Sequence, residues 1–306
     1  MQIETVDCAI FFEWEYDVDF VTMLSDRLRT LKIQHAVFKP GEFNELRKRV
    51  EEKSLFIRTI IDRASDVDED CAAAVLTLQR RGCRVINDPT KITHASDKAS
   101  MHLEFITAGI FVPYTMIISP FNAEREVRLG IGELAKLGRP FIIKPANTTG
   151  GGVGVVTGAE GLQEVIETRQ HHKDDKYLLQ SRIEPVSLKG RRAWFRPFYV
   201  FGEVLICWWD DLTHLYARAS EEEIVEFNLS EIANIVRKIY KVCQLDFFST
   251  EIALTQEGKF VVIDYVNEMC DMRLQSFHYD GVPDETVRAV AASLARAVRR
   301  GLNKRG

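Results

Sequence analysis

Apolar and polar positions alternate in blocks along the 306-residue chain. Cys8-Ala9-Ile10-Phe11-Phe12 is an unbroken apolar run of strand length. Phe20, Met23, Leu24, Leu28 and Leu31 then recur at three- and four-residue intervals, which predicts a helix over 19–31. His35–Phe38 and 54–58 read as further strands. A helix is predicted over 71–81 (Ala72, Val75, Leu76, Gln79), ended by Gly82 in the left-handed C-cap position, with a strand over 83–87. This alternation predicts a small α/β unit with a parallel sheet over residues 1 to about 90.

Asn87-Asp88-Pro89 interrupts the pattern. A helix is expected over 96–108, with Ser96 as N-cap, Asp97 in its first turn where the dipole favours an acid, and Gly109 beyond its end. Phe111-Val112-Pro113 leads into a strand, followed by a helix over 123–137. The apolar run 140–145 is a strand with 153–156 as its hairpin partner. A third unit opens near Leu178 with strands at 178–180, 198–201, 204–209, Phe247–Leu254 and 260–266, and helices at 231–242 and 284–300. The acidic run Asp66-Val67-Asp68-Glu69-Asp70 reads as the solvated start of the preceding unit's last helix rather than a metal site.

Composition narrows the class. Hydrophobic residues at 46% and charged residues at 28% exclude a disordered or fibrous chain. With 40 Lys+Arg against 45 Asp+Glu the net charge is -5, which excludes a nucleic-acid coat, since neutralising phosphates needs a clustered basic excess. No run approaches the roughly 20 apolar residues that span a bilayer. Six scattered cysteines without a CxxC pair suit a reduced, cytoplasmic setting better than a disulfide frame.

The most informative stretch is Asn147-Thr148-Thr149-Gly150-Gly151-Gly152-Val153-Gly154. Adjacent glycines let successive backbone N–H groups converge on an anion. It lacks the Gly-Lys-Ser/Thr ending of a Walker loop, and a strand rather than a helix follows it, unlike a dinucleotide fingerprint. Strand, glycine loop and strand, with Lys144 just upstream, have the form of a flap over phosphates. Taken alone, a turn joining two strands is the better account, because glycine clusters in turns are common.

An ordered set of features surrounds that loop. Asp97-Lys98 precedes it, Ile143-Lys144-Pro145 leads into it, and Leu178-Leu179-Gln180-Ser181-Arg182-Ile183 follows. Glu251-Ile252 and Ile263-Asp264-Tyr265-Val266-Asn267 lie on two later strands. Over 87–274 the chain resembles the ATP-grasp superfamily, and is most similar to its RimK-type and glutathione-synthetase-like carboxylate–amine ligases. The resemblance implies an α/β (α+β) ATP-grasp fold. An N-terminal Rossmann-like, pre-ATP-grasp α/β domain would occupy 1–90, a central flap subdomain 91–180, and a C-terminal subdomain with the metal site 181–306.

It also implies a set of roles. Lys98 and Lys144 would contact the phosphates of ATP under Gly150, Gly151 and Gly152. Gln180, Arg182 and Ile183 would form the hinge against the adenine edge, with Glu184 near the ribose. Arg218 would face the γ-phosphate and the reacting carboxylate, and Arg196 is a weaker match to a second such arginine. One or two Mg2+ ions would be held by Glu251, Asp264 and Asn267. Here the chain departs from the family, which has an acid two residues before the Asn where this sequence has Tyr265. Strand alternation aims Asp264 and Asn267 to opposite faces unless a bulge intervenes; otherwise Glu268 or Asp271 would have to help. Arg273, in the atypical loop beyond, is expected to clamp a substrate carboxylate. The implied reaction is ADP-forming ligation of a small carboxylate to an amine through an acyl phosphate. The implied partners are ATP and those two substrates, not nucleic acid or membrane, with a homodimer left open. A small-molecule kinase and a non-catalytic nucleotide-binding protein are the competing readings.

Overall fold

The protein is described here from a computed structural model covering residues 3–122, 124, 127–147 and 154–303. Among these residues four sheets form. The first is parallel, in the order β2-β1-β3-β4, from β1 (Glu4–Phe12), β2 (His35–Phe38), β3 (Leu55–Arg63) and β4 (Arg84–Ile86). Helix α1 (Val18–Thr30) packs on one face, and α2 (Phe43–Glu51) and α3 (Glu69–Arg80) on the other. Helix α2 is absent from the sequence reading; its Phe43, Leu46 and Val50 are buried at helical spacing and its other residues are polar, the pattern of a half-buried helix. The acidic run caps α3, where Asp68 accepts from the Cys71 N–H, and Gly82 takes φ 91° beyond its end.

The expected helix over 96–108 is two helices. Helix α4 (Pro89–Ser96) starts with proline at its first position behind Asp88, and α5 (Lys98–Thr107) starts behind Asp97. Asp97, not Ser96, is the N-cap: its carboxylate accepts from the Ala99 and Ser100 N–H groups, which reverses the chain between the two helices.

The second sheet is antiparallel, in the order β5-β8-β6-β7, from β5 (Thr115–Ile118), β6 (Phe141–Pro145), β7 (Val156–Ala159) and β8 (Tyr177–Ser181). The strand expected to open a third unit thus lies in the middle of this sheet instead. The helix expected over 123–137 is confined to α6 (Ile131–Leu137), because Gly130 starts it; a second short helix, α7 (Leu162–Thr168), follows β7. The glycine-loop residues Gly150, Gly151 and Gly152 fall outside the described residues. Gly154 sits at φ 75°, where a Cβ would come within 3.0 Å of the His172 ring.

After the hairpin β9 (Ser187–Leu188) and β10 (Arg191–Arg192) comes the seven-stranded third sheet, in the order β13-β12-β16-β11-β14-β15 with β17 on the other side of β16. Its strands are β11 (Trp194–Phe195), β12 (Phe198–Val200), β13 (Glu203–Leu205), β14 (Cys207–Trp209), β15 (Tyr216–Arg218), β16 (Phe247–Leu254) and β17 (Phe260–Asn267). The single strand read over 204–209 divides at Ile206: β13 pairs with β12 and β14 with β11. β11 and β12 part at Arg196-Pro197, where proline has no N–H to give the ladder.

Helix α8 (Glu221–Glu226) leads into α9 (Ser230–Cys243), which covers one face of this sheet together with α5 through Ile232, Ile235, Val236 and Ile239. The final helix α10 (Asp284–Asn303) covers the other and also packs on α1, so the first and third sheets share one core. Asn87 staples them, with its amide donating to and accepting from the Phe247 backbone at 2.6 and 2.9 Å. Among the described residues no helix is long and apolar enough to cross a membrane.

Candidate active site

The charged residues gather along one row of the third sheet. Arg218 on β15 lies opposite Cys207 on β14, whose carbonyl accepts from the Arg196 N–H at 2.9 Å. The β16 ladder keeps one register on both sides of the β11–β12 break, which brings Arg196 beside Glu251; Glu251 in turn pairs with Asp264 on β17. Cross-strand partners share a face. The row therefore reads Arg218, Cys207, Arg196, Glu251, Asp264 on one surface.

The parity problem is solved by bulges. Register shifts flank Glu251, so that Ser249 and Glu251 on β16 face Asn267 and Asp264 on β17, two residues apart against three. Asn267 consequently reaches Asp264, its Nδ2 donating to Oδ2 at 2.9 Å. Tyr265 turns to the opposite face, fully buried against His102 and Phe105 of α5. Neither alternative acid joins the row: Asp271 pairs with Arg273, and Glu268 feels the charges of Asp66 and Asp62.

Glu251 is 9% exposed, deeper than the open cleft position expected of it. Arg196 lies 3.4 Å from one carboxylate oxygen, and the Trp194 indole donates to the other at 3.3 Å. Burial, with Asp264 adding, lifts this carboxyl to about 7 against the pull of Arg196 and Lys144. Asp264 goes the other way. Burial acts to raise it, but Lys144, Lys98, the Asn267 amide and Arg196 together bring it below its ordinary value.

Lys144, on β6, crosses from the second sheet to the edge of the third. Its Nζ donates to the Ile263 carbonyl at 3.0 Å and lies 5.3 Å from the centre of the Tyr265 ring. Burial draws its ammonium below the usual lysine value, Lys98 adds to this, and Asp264 and Glu251 oppose it. The protein itself offers this buried lysine partners. Lys98 opens α5, and its N–H donates to the Ala146 carbonyl at 3.0 Å, which joins that helix to the strand carrying Lys144. Gln180 shares Lys144's face of the second sheet, since the β6–β8 pairing sets Lys144 opposite Leu178 and Ile142 opposite Gln180.

Arg218 donates to the Thr286 hydroxyl at 3.2 Å, two strands from Arg196. Arg273 is occupied by Asp271 at 2.8 Å and Asp280 at 3.1 Å and lies over Trp14. At the hinge, Ile183 packs against Trp194 and Ile263, while Arg182 and Glu184 pair with each other at 2.7 Å on the surface. The surface cations of the β9–β10 hairpin are paired, Lys189 with Glu226, Arg191 with Glu223 and Arg192 with Asp211. Cys270 is fully buried, its thiol pushed up to about 12 by burial, which removes it as a nucleophile.

Among the described residues Arg196 Nε, Ser249 Oγ and Gln180 Oε1 find no hydrogen-bond partner. A buried orphan costs on the order of 1–3 kcal/mol. The family resemblance pointed to Glu251, Asn267 and Lys144, gave Arg196 less weight and did not reach Trp194, Thr115 or His102. For Trp194 and Arg196 a signal existed, since i and i+2 on a strand share a face. For His102 and Thr115 there was none.

The fold has solved counterparts. The chain is similar to the ATP-grasp ligase PsnB complexed with minimal precursor, Mg and ADP, at 14% identity and TM-score 0.63 over 98% of this chain and 99% of the other. It is similar to D-alanine–D-alanine ligase from Bacillus anthracis complexed with ATP, at 14% identity and TM-score 0.66 over 97% of each. The macrocyclase MdnB from Microcystis aeruginosa MRC matches at 12% identity and TM-score 0.61, over 95% of this chain and 98% of the other. No family model and no curated protein matches the sequence. The chain has the ATP-grasp fold, α/β throughout, with the parallel sheet at its N-terminal end.

Proposed function

We propose that this protein is an ATP-dependent carboxylate–amine ligase, with the nucleotide between the second and third sheets. The observation that carries the reading is the unfinished polarity there. Lys144, Arg196, Glu251 and Asp264 converge, yet Arg196 Nε and Gln180 Oε1 are left unpartnered and Glu251 is lifted to about 7. Nucleotide phosphates would complete the cations, and the adenine amino group would complete the Gln180 carbonyl. PsnB complexed with Mg and ADP and D-alanine–D-alanine ligase complexed with ATP share this fold, which supports a nucleotide as the ligand.

The donor set also fits magnesium. It is all oxygen, and a divalent cation would hold Glu251 ionised where Arg196 alone does not. Among the described residues no three His, Cys, Asp or Glu side chains converge on one point, so Glu251, Asp264 and Asn267 would share the ion with phosphate oxygens and water. When bound, the ion would neutralise phosphate charge.

The protein's own groups then have defined work. A substrate carboxylate oxygen forms a bond to the γ-phosphorus as the bond to the β–γ bridging oxygen breaks, giving ADP and an acyl phosphate. Lys144 and Lys98 offset the charge that develops on the leaving ADP, and Arg196 that on the transferred group; Arg218, further along the row, orients the carboxylate. An amine next attacks the acyl carbon and gives up a proton, and phosphate departs with the C–O electron pair. Arg273, already paired twice, holds its loop rather than the substrate. The decisive assay supplies Mg-ATP with panels of carboxylates and amines and resolves products by chromatography and mass. ADP, phosphate and amide should appear in equal amounts; AMP as the main nucleotide product, or a stable phosphorylated alcohol formed without amine, would overturn the reading.

A further inference from the structure

Behind the proposed nucleotide site lies a chain of hydrogen bonds whose direction can be worked out atom by atom. The Thr115 hydroxyl donates to the Pro113 carbonyl at 3.0 Å, and a carbonyl can only accept. With its proton committed, Thr115 Oγ1 offers Gln180 an acceptor, so the Gln180 atom 3.2 Å away is the amide nitrogen. That nitrogen also donates to the Tyr265 hydroxyl at 3.1 Å. The Tyr265 proton goes on to His102 Nδ1 at 2.6 Å. His102 can receive it because burial, with the charge of Lys144 adding, pushes the imidazole down to about 4 and keeps it neutral.

Both N–H bonds of the Gln180 amide are thereby used, and the carbonyl oxygen is the atom left over. Gln180 is 0% exposed and its Oε1 has no partner among the described residues. A free glutamine amide can rotate to present either a donor or an acceptor; this one is held with the acceptor as its unspent atom. We propose that Tyr265 and His102 are positioning residues that lock the Gln180 amide as an acceptor, and so select a nucleobase carrying an amino group at that edge over one carrying a carbonyl. The inference rests on the nucleotide reading above. It gives Tyr265 a task on the face opposite the metal row, at the position where a metal-binding acid was missed.

The test compares ATP with ITP, which differs at that edge by carbonyl for amino, as magnesium complexes in calorimetry. Wild type should bind ATP at least about tenfold more tightly than ITP, since a site built around a hydrogen bond rejects the analogue lacking it. Tyr265→Phe keeps the ring against His102 and over Lys144 but frees the amide. The ATP-to-ITP ratio should then fall about tenfold, the usual size of one buried hydrogen bond. Thr115→Val, which loosens the amide from the other side, should lower the ratio in the same direction and serves if Tyr265→Phe does not fold. A variant with weaker binding of both nucleotides and an unchanged ratio would overturn the lock while leaving the nucleotide site standing. Wild type that binds neither nucleotide would overturn both.

Discussion

The molecule buries two charged clusters, and they are built on opposite terms. Arg63, at the end of β3, is 4% exposed and holds Asp17, 1% exposed, through two parallel hydrogen bonds of 2.7 Å; a third, 2.9 Å, goes to the Cys270 carbonyl. Each carboxylate oxygen of Asp17 has its donor. The row on the third sheet buries charge as deeply but leaves Arg196 Nε orphaned and Glu251 raised to about 7. The first cluster is complete without any other molecule and ties the N-terminal sheet to the loop after Asn267. The second is the one we propose a ligand completes. Buried charge alone does not mark a functional site; buried charge with unspent hydrogen-bonding capacity does.

The comparison breaks first on stability. Arg63→Met leaves Asp17 buried and unpaired and should cost about 3–5 kcal/mol, read as a lower urea midpoint. Arg63→Met combined with Asp17→Leu should recover most of that loss. A double variant as unstable as the single one would mean that the pair is not the self-sufficient unit described.

A smaller effect sharpens the contrast through pH. The folded-state value of Glu251, about 7, lies above its ordinary 4.5, so the folded protein holds this proton longer than the unfolded chain. Its contribution is present below about pH 4.5 and is lost as pH rises through 7, on the order of 2–3 kcal/mol. In Glu251→Gln, urea unfolding without nucleotide should lack this decline, and the variant should be the more stable protein at pH 7.5 while losing turnover. Parallel pH profiles for the two proteins would show that Glu251 is not held against its preference.

Much of this fold is legible in the sequence where signals are local. β16 and β2 fall on their expected residues, and α9 announces itself by its isoleucine spacing. Helix α4 is hidden because only Ala95 of its eight residues is buried, and the strand 204–209 divides because of a proline on the neighbouring strand, not within it. The site divides the same way. Lys144 and Glu251 are visible as polar residues on apolar strands. Asp264 depends on bulges, which belong to a pair of strands and not to either one. The contact of His102 with Tyr265 joins positions 163 apart, and nothing near either residue foretells it.

The central claim is that the open cluster is a phosphate site, and Lys144 is its most direct test. Mg-ATP should be titrated calorimetrically into wild type and Lys144→Ala, with thermal melts of both. The account predicts clear binding by wild type and affinity at least about tenfold weaker in the variant, for the loss of a charge-assisted contact, with no fall in melting temperature beyond that of an ordinary surface change. Equal affinity in the two proteins, or a variant that binds normally but melts far earlier, would put Lys144 in the same class as Arg63 and contradict the account.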